Sequence, residues 1–135
     1  MSVEIHIDTR KSIATIVVVG EIPVATYSCV VDQLIATPGF QRSMNSLIDL
    51  RRAELIVAPD DIGVLAESLL TRQMRRGHSF RTALLVGSDF AFGVCRMISV
   101  ALEQVPIWCR VVRTPDDAYA WVLEADEWLS DCDTA

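Results

Sequence analysis

The stretch from Thr82 to Val105 constrains the fold of this chain more than any other. An apolar run, Ala83-Leu84-Leu85-Val86, stops at Gly87-Ser88-Asp89, and a long apolar pattern at helical spacing follows. A short, continuous apolar run bounded by turn residues is typical of a strand buried on both faces, as in a parallel sheet covered by helices. Ser88 or Asp89 can cap the helix by accepting hydrogen bonds from its first backbone N–H groups. The stretch therefore predicts a strand, a tight turn and a helix.

The rest of the chain repeats this alternation. Apolar runs predict strands at residues 3–8, 13–19, 46–50 and 107–112. Apolar residues at helical spacing predict the packed faces of helices over 24–35, 62–74 and 118–129. Thr114 caps the last of these helices, with Pro115 at its first position. Residues 51–54 are expected to leave the sheet. The first two strands form an antiparallel hairpin in this interpretation, and helical connections imply right-handed crossovers elsewhere. We predict a single α/β domain over residues 1–135, with a mostly parallel five-stranded sheet, four helices and an acidic tail that frays from about residue 130.

Composition excludes several classes of protein. Eighteen acidic residues against twelve basic ones give a net charge of −6, whereas a nucleic-acid binder needs a basic face to neutralise phosphates. No apolar run approaches the roughly 20 residues of a membrane-spanning helix, and the N-terminus lacks the pattern of a secretory signal. Four cysteines occur without a CxxC pair, which favours reduced, buried thiols over a metal site. We expect a cytoplasmic protein without a metal or another cofactor.

Motifs of catalysis are sparse. The chain has no GxSxG elbow, no HExxH and no GxxxxGK[ST] phosphate loop. The segment 87–93 lacks the paired glycines of the dinucleotide-binding fingerprint. His6 and His78 are predicted to be surface residues. The sequence therefore favours a protein that is not an enzyme.

Polar residues follow several of the predicted strands. In open α/β sheets, sites form outside the carboxyl ends of the parallel strands. Those ends hold Asp49 and Arg51, Ser88 and Asp89, and Arg113 and Thr114. They predict a polar crevice, although Asp49 can simply pair with an arginine, and Ser88 and Asp89 can simply cap a helix.

The helix predicted from Asp89 to Gln104 is apolar most of the way round its axis. A helix with more than one apolar stripe must bury more than one face. Its second face can meet a neighbouring helix, another copy of the chain or an apolar ligand. Phe90 and Phe92, at its start, suit any of the three.

Five short segments distributed over nearly the whole chain are similar to a known family. They are Leu47-Ile48-Asp49-Leu50-Arg51, Gly77, Arg81-Thr82-Ala83, Ser88-Asp89-Phe90-Ala91-Phe92-Gly93-Val94-Cys95-Arg96-Met97 and Asp117-Ala118-Tyr119-Ala120-Trp121-Val122. They resemble the SpoIIAA-like family, small bacterial proteins related to STAS domains. The resemblance implies a STAS-type fold and, usually, no enzymatic activity.

The resemblance also implies where a regulatory switch would lie. Anti-sigma-factor antagonists of this type carry a phosphorylatable Ser or Thr at the start of the helix after the third strand, in a pattern close to Asp-Ser-Ser-Gly. This chain has no hydroxyl residue from Leu50 to Gly63, and Asp60 and Asp61 occupy the start of its predicted helix. The departure argues against a cycle of phosphorylation at this position.

We therefore predict a regulatory protein-interaction module that forms a homodimer. Its binding residues would be Asp49, Arg51, Ser88, Asp89, Phe90 and Phe92. The alternative is a carrier or sensor of a small apolar or lipid-like ligand, with an enclosed cavity beside Phe90 and Phe92. A docking module would instead expose a flat apolar patch. An enzyme using Asp49, Arg51 and Asp89 is a third hypothesis and requires a titrating pair in the crevice.

Overall fold

The computed structural model describes residues 1–105 and 107–123. The strands are β1 (Ser2–Asp8), β2 (Ile13–Pro23), β3 (Asn45–Ile56), β4 (Phe80–Leu85) and β5 (Ile107–Val112). The helices are α1 (Tyr27–Ala36), α2 (Asp61–Thr71), α3 (Gln73–Arg76), α4 (Asp89–Ala101) and α5 (Pro115–Leu123). A 3-10 turn at Val24–Thr26 precedes α1, and another at Leu102–Gln104 extends α4. The predicted helical residues Ala125, Trp128 and Leu129, and the predicted frayed tail, lie outside the described residues.

The five strands form one sheet in the order β1-β2-β3-β4-β5. β1 pairs antiparallel with β2, and the other neighbours are parallel, which confirms the predicted α/β class. Consecutive right-handed crossovers carry the connecting helices to the same side of a sheet. Accordingly α1, α2 and α4 pack on one face, and α5, which follows the last strand, packs on the other.

β4 lies inside the sheet between β3 and β5 and is buried on both faces, as its apolar run predicts. All six of its residues are buried. Leu84 faces the core beneath α1 and α4, whereas Ala83 and Leu85 face α5. The continuous apolar run of the sequence reflects this burial on both faces.

The prediction that residues 51–54 leave the sheet is wrong. β3 continues to Ile56 and pairs with an extension of β2 that runs to Pro23, after a register shift between Val17 and Val19. Ala53 and Leu55 pack half-buried against the core, while Arg52 and Glu54 are exposed. This is the alternation of a strand with one buried face, and the charged residues masked it in the sequence.

Three other expectations are corrected. The first helix begins at Tyr27 rather than Val24, since residues 24–26 form a 3-10 turn. The second predicted helix is divided at Arg72 into α2 and α3; the described chain keeps the four predicted helices of seven residues or more, and α3, of four residues, is a fifth. Cys95 is buried, but Cys29 is exposed, which contradicts the expectation of buried thiols, and Cys132 lies outside the described residues.

No helix among the described residues is long and apolar enough to cross a membrane. Within the same part of the chain, no group of three or more His, Cys, Asp or Glu side chains is arranged to hold a metal ion.

Candidate functional site

Asp49 and Arg51 form a closed pair. The Arg51 side chain donates from Nε to Asp49 Oδ1 at 3.0 Å and from Nη2 to Oδ2 at 2.8 Å, and the Arg51 backbone N–H donates to Oδ1 at 3.1 Å. These hydrogen bonds hold the pKa of the Asp49 carboxyl below its ordinary value. Asp49 is therefore ionised at neutral pH, so it does not supply the proton that a general acid would need.

Ser88 and Asp89 also have local partners. Ser88 Oγ accepts a hydrogen bond from the Ala91 backbone N–H at 3.1 Å and so caps α4. Asp89 Oδ1 lies 2.9 Å from Arg113 Nη1. Residues that follow β4 and β5 thus lie side by side, and their charges neutralise each other.

The two phenylalanines occupy different environments. Phe92 is half-buried, and the Arg113 guanidinium carbon lies 4.3 Å from the centre of its ring. It also lines an open groove of about 590 Å³ along β5 and α5, together with Arg110 and Trp121. Phe90 is 64% exposed. The predicted site residues therefore do not converge on one pocket.

α4 presents an apolar row to the outside of the molecule. We call it the α4 stripe and define it as Phe90, Gly93, Met97 and Val100, whose spacings of three, four and three residues place them on one side of the helix. Met97 is 59% exposed and Val100 60%. A Cβ atom added at Gly93 would meet nothing within 4 Å. The second apolar face predicted for this helix thus exists, and no described part of the chain covers it.

A cavity of about 70 Å³ lies between the sheet and the layer formed by α1, α2 and α4. Its walls are mostly apolar, with Leu65 and Leu69 from α2 and Ile98 and Leu102 from the segment of α4. Phe90 and Phe92 do not line it, so it lies away from the position expected for a carrier. A cavity of about 150 Å³ holds benzene, so this one admits only a smaller group without rearrangement.

Arg76 is a charged residue among those that line this cavity. Only 5% of the residue is exposed. Its Nη2 donates to the Met44 carbonyl at 2.7 Å, and the guanidinium carbon lies 3.6 Å from the centre of the Phe80 ring. Nη1 has no hydrogen-bond partner among the described residues. Burial lowers the pKa of Arg76 to about 10, so the side chain stays charged at neutral pH.

Sequence reasoning missed Arg76 because three arginines near the end of a helix have an obvious structural interpretation. Arg72 does bear that out, since it donates to the Asp32 carboxylate at 2.7 and 2.9 Å. The feature of the sequence that could have distinguished Arg76 from Arg72 is the glycine that follows it, Gly77. Its φ of +105° turns the backbone, and the Ser43 N–H donates to the Arg76 carbonyl at 2.9 Å.

Comparison with solved structures identifies the architecture. One match is an uncharacterized protein of the DUF3478 family with a SpoIIAA-like fold from Shewanella loihica PV-4, with 17% sequence identity, a TM-score of 0.53 and coverage of 90% of this chain and 92% of that chain. The chain has a SpoIIAA-like fold. Another match is the anti-sigma factor antagonist SpoIIAA in its unphosphorylated form, with 15% identity, a TM-score of 0.45 and coverage of 96% of this chain and 98% of that one.

The SpoIIAA-like fold confirms the resemblance noticed in the sequence at the level of architecture. No protein-family model and no curated protein matches the chain. Function must therefore be argued from the chain's own surfaces.

Proposed function

We propose that this protein is a non-enzymatic regulatory module of the cytoplasm that works by docking a protein on the α4 stripe. The observation that carries the proposal is the exposure of Phe90, Met97 and Val100, each at least 59% exposed, in one row on one helix. Single exposed apolar side chains are ordinary, but a contiguous row is characteristic of an interaction surface. Covering the row would gain roughly 25 cal/mol for each Å² of apolar surface removed from water.

The polar residues at the carboxyl ends of the strands support a non-catalytic role. Asp49 is held by Arg51, and Asp89 is held by Arg113. An acid–base catalyst needs a group whose pKa is shifted toward the working pH, whereas the pKa of Asp49 is lowered. In this proposal both ion pairs stabilise the ends of the strands and do not bind substrate.

We further propose that the module has no phosphorylation switch at the start of α2. No Ser, Thr or Tyr occurs from Leu50 to Gly63. Asp61 at this position has a structural task, because its Oδ2 accepts a hydrogen bond from the Ala58 N–H at 2.8 Å and so closes the turn before the helix. Regulation would then act through binding at α4.

The experiment compares two exposed methionines on helical segments, Met97 in the stripe and Met74 in α3, which is 79% exposed. A photo-crosslinking amino acid is placed at either position in cells of the source organism, and each captured protein is purified. Its affinity for the intact chain is then measured by calorimetry. We expect Met97→Glu to weaken binding at least about tenfold and Met74→Glu to leave it unchanged. Equal effects of both substitutions, or no effect of Met97→Glu on any captured protein, would contradict the proposal.

The cavity favours a second candidate function, a carrier or sensor of a small apolar ligand. Its supporting observation is the mostly apolar wall beneath α2 and α4. Native mass spectrometry of protein purified from its own host would detect a bound small molecule. We expect the ligand to be lost from Leu65→Trp, which fills the cavity, and retained by Met97→Glu. A ligand-free wild-type chain would exclude this function.

A further inference from the structure

A row of charged residues lies along one edge of the α4 stripe. Its acidic and basic members can pair with those of a second copy of the chain. Asp89, Arg96 and Glu103 are spaced seven residues apart. Seven residues are almost two turns of an α-helix, so Asp89 and Arg96 lie about 10.5 Å apart on one edge of the stripe. Glu103 follows on the exposed side of the 3-10 turn Leu102–Gln104 that extends α4. Asp89 is paired with Arg113. No ion pair of Arg96 or Glu103 occurs within the described residues.

We propose that the stripe binds a second copy of this chain, with the two α4 helices antiparallel about a two-fold axis. This inference rests on the proposed docking role of the stripe and names its partner. In a two-fold antiparallel pair, the same edge of both helices lies on the same side of the interface, with its residues in opposite order. An axis level with Ser99 and Val100 then sets Arg96 against Glu103 of the second copy, and Glu103 against Arg96 of the second copy.

The same register suits the apolar side chains. It brings Val100 close to Val100 of the second copy and places Met97 against the end of the partner helix. Phe90 and Gly93 lie beyond the paired segment, because this register pairs residues 95–104 of the two copies.

Charge selects this arrangement over a parallel one. A parallel pair about a two-fold axis would put the charged rows of the two copies on opposite sides of the interface and leave Arg96 and Glu103 without partners, whereas the antiparallel register forms two attractive pairs. The pairs act against the repulsion between two chains of net charge −6. The contact is confined to one helix face from each copy, whereas a stable interface buries roughly 1,200 Å² or more, so we expect a weak dimer that dissociates on dilution.

Sedimentation equilibrium over about three decades of concentration measures this association by mass action. The samples are the intact chain, Arg96→Glu, Glu103→Arg and the double variant, each checked for its fold by circular dichroism. We expect either single variant to raise the dimer dissociation constant at least about tenfold, and the double variant to restore it to within about threefold of wild type. Recovery of the wild-type dissociation constant in the double variant would show that Arg96 and Glu103 pair, because two substitutions that each damaged the fold would weaken the dimer further.

Other outcomes would overturn the proposal. Equal dissociation constants for all four proteins would contradict the register, and a chain that stays monomeric throughout would remove the second copy as partner. Monomeric chain that binds vesicles of phosphatidylethanolamine and phosphatidylglycerol through Met97 would identify a lipid surface instead. If the chain is monomeric while a captured protein still requires Met97, the dimer fails and the docking function stands; if neither association occurs, both fail.

Discussion

Arg76 and the α4 stripe are opposite exceptions to the rule that charged side chains lie at the surface and apolar side chains in the interior. Arg76 is a charged residue with 5% exposure, whereas Met97 is an apolar residue with 59% exposure. The guanidinium of Arg76 is compensated inside the chain by the Met44 carbonyl and the Phe80 ring. Nothing in the described chain compensates the exposure of Met97. The contrast separates a charge that serves the fold from an apolar surface that is available to a partner.

Arg76 and Met97 also differ in the contacts that their side chains make with the rest of the chain. Arg76 sits where the chain turns between α3 and β4, and its side chain ties that turn to the segment before β3. Removing it would disturb several elements. Met97 touches solvent on a helix that is already anchored by Val94 and Cys95 on its buried side. We therefore expect substitutions near Arg76 to change folding, and substitutions in the stripe to change association.

The largest effect is expected from Gly77→Ala. The φ of Gly77 is +105°, and a Cβ atom there would overlap the Ser43 backbone. Strain at positive φ costs about 1–3 kcal/mol and overpacking a further 1–3 kcal/mol, so unfolding in urea should show a loss of about 2–6 kcal/mol or no folded protein. The control is Gly63→Ala in α2, where added atoms meet nothing within 4 Å and the helix should gain about 0.5–1 kcal/mol. Equal free energies of unfolding for the two variants would show that neither the positive φ nor the closeness of Ser43 requires glycine at position 77.

A smaller loss is expected when Arg76 is replaced. Arg76→Ala removes the hydrogen bond to Met44 and leaves a cavity beside Phe80, which should cost about 2–4 kcal/mol in the free energy of unfolding. Arg76→Met fills most of the space and removes a buried charge, so its cost should be nearer 1 kcal/mol. Chemical denaturation of both variants measures the difference. If Arg76→Met proves the more damaging of the two, the charge itself stabilises this part of the cavity wall.

The sequence predicts most of the strands and helices, but it does not predict which side chains of α4 are exposed or that Arg76 is buried. The run at Ala83–Val86 indicates a central strand, because burial on both faces demands continuous apolar residues. Thr114 and Pro115 predict the start of α5, and Thr114 Oγ1 does accept from the Asp117 N–H at 3.1 Å. The extension of β3 was missed, because its pairing with β2 depends on a register shift that no local pattern reveals.

The candidate site was predictable only in part. An apolar excess on the helix after β4 is visible in the sequence, and the exposed stripe corresponds to it. Which residues form the exposed row depends on how α4 rotates on the sheet, so Met97 and Val100 could not be separated from Val94 and Cys95. The burial of Arg76 depends on contacts with residues more than 30 positions away, which spacing alone does not indicate.

Asp49 is intermediate between buried Arg76 and the exposed stripe, because its charged side chain is 15% exposed and pairs with Arg51. Hydrogen bonds from Arg51 lower its pKa in the folded state below the ordinary 3.8. Its stabilising contribution is therefore complete above the unfolded pKa and is lost as the pH falls through the folded pKa. Wild type should be more stable than Asp49→Asn near neutral pH, and the gap should narrow as the pH falls below the ordinary pKa of the carboxyl. A gap of constant size across that range in urea denaturation would show that the pair contributes no linked protonation.

The smallest effect on folding is expected from Met97→Ser. The side chain is mostly in water already, so the free energy of unfolding of the dilute monomer should change by no more than about 0.5 kcal/mol. Met74→Ser is the matched control and should behave alike in dilute solution. Denaturation at low and high protein concentration separates folding from association, because only the stripe should make stability depend on concentration. A large loss for Met97→Ser in dilute solution would place that residue in the core instead.

The most direct test of the central claim uses the methyl groups of the four methionines as reporters. Selective ¹³C labelling gives each methyl its own nuclear magnetic resonance signal, and the spectra are recorded as the protein is concentrated and then mixed with any captured partner. We predict that the Met97 signal shifts or broadens, while exposed Met74 and buried Met44 keep their positions. A Met97 signal that remains unchanged throughout, or that changes no more than that of Met74, would contradict the assignment of the α4 stripe as the docking surface.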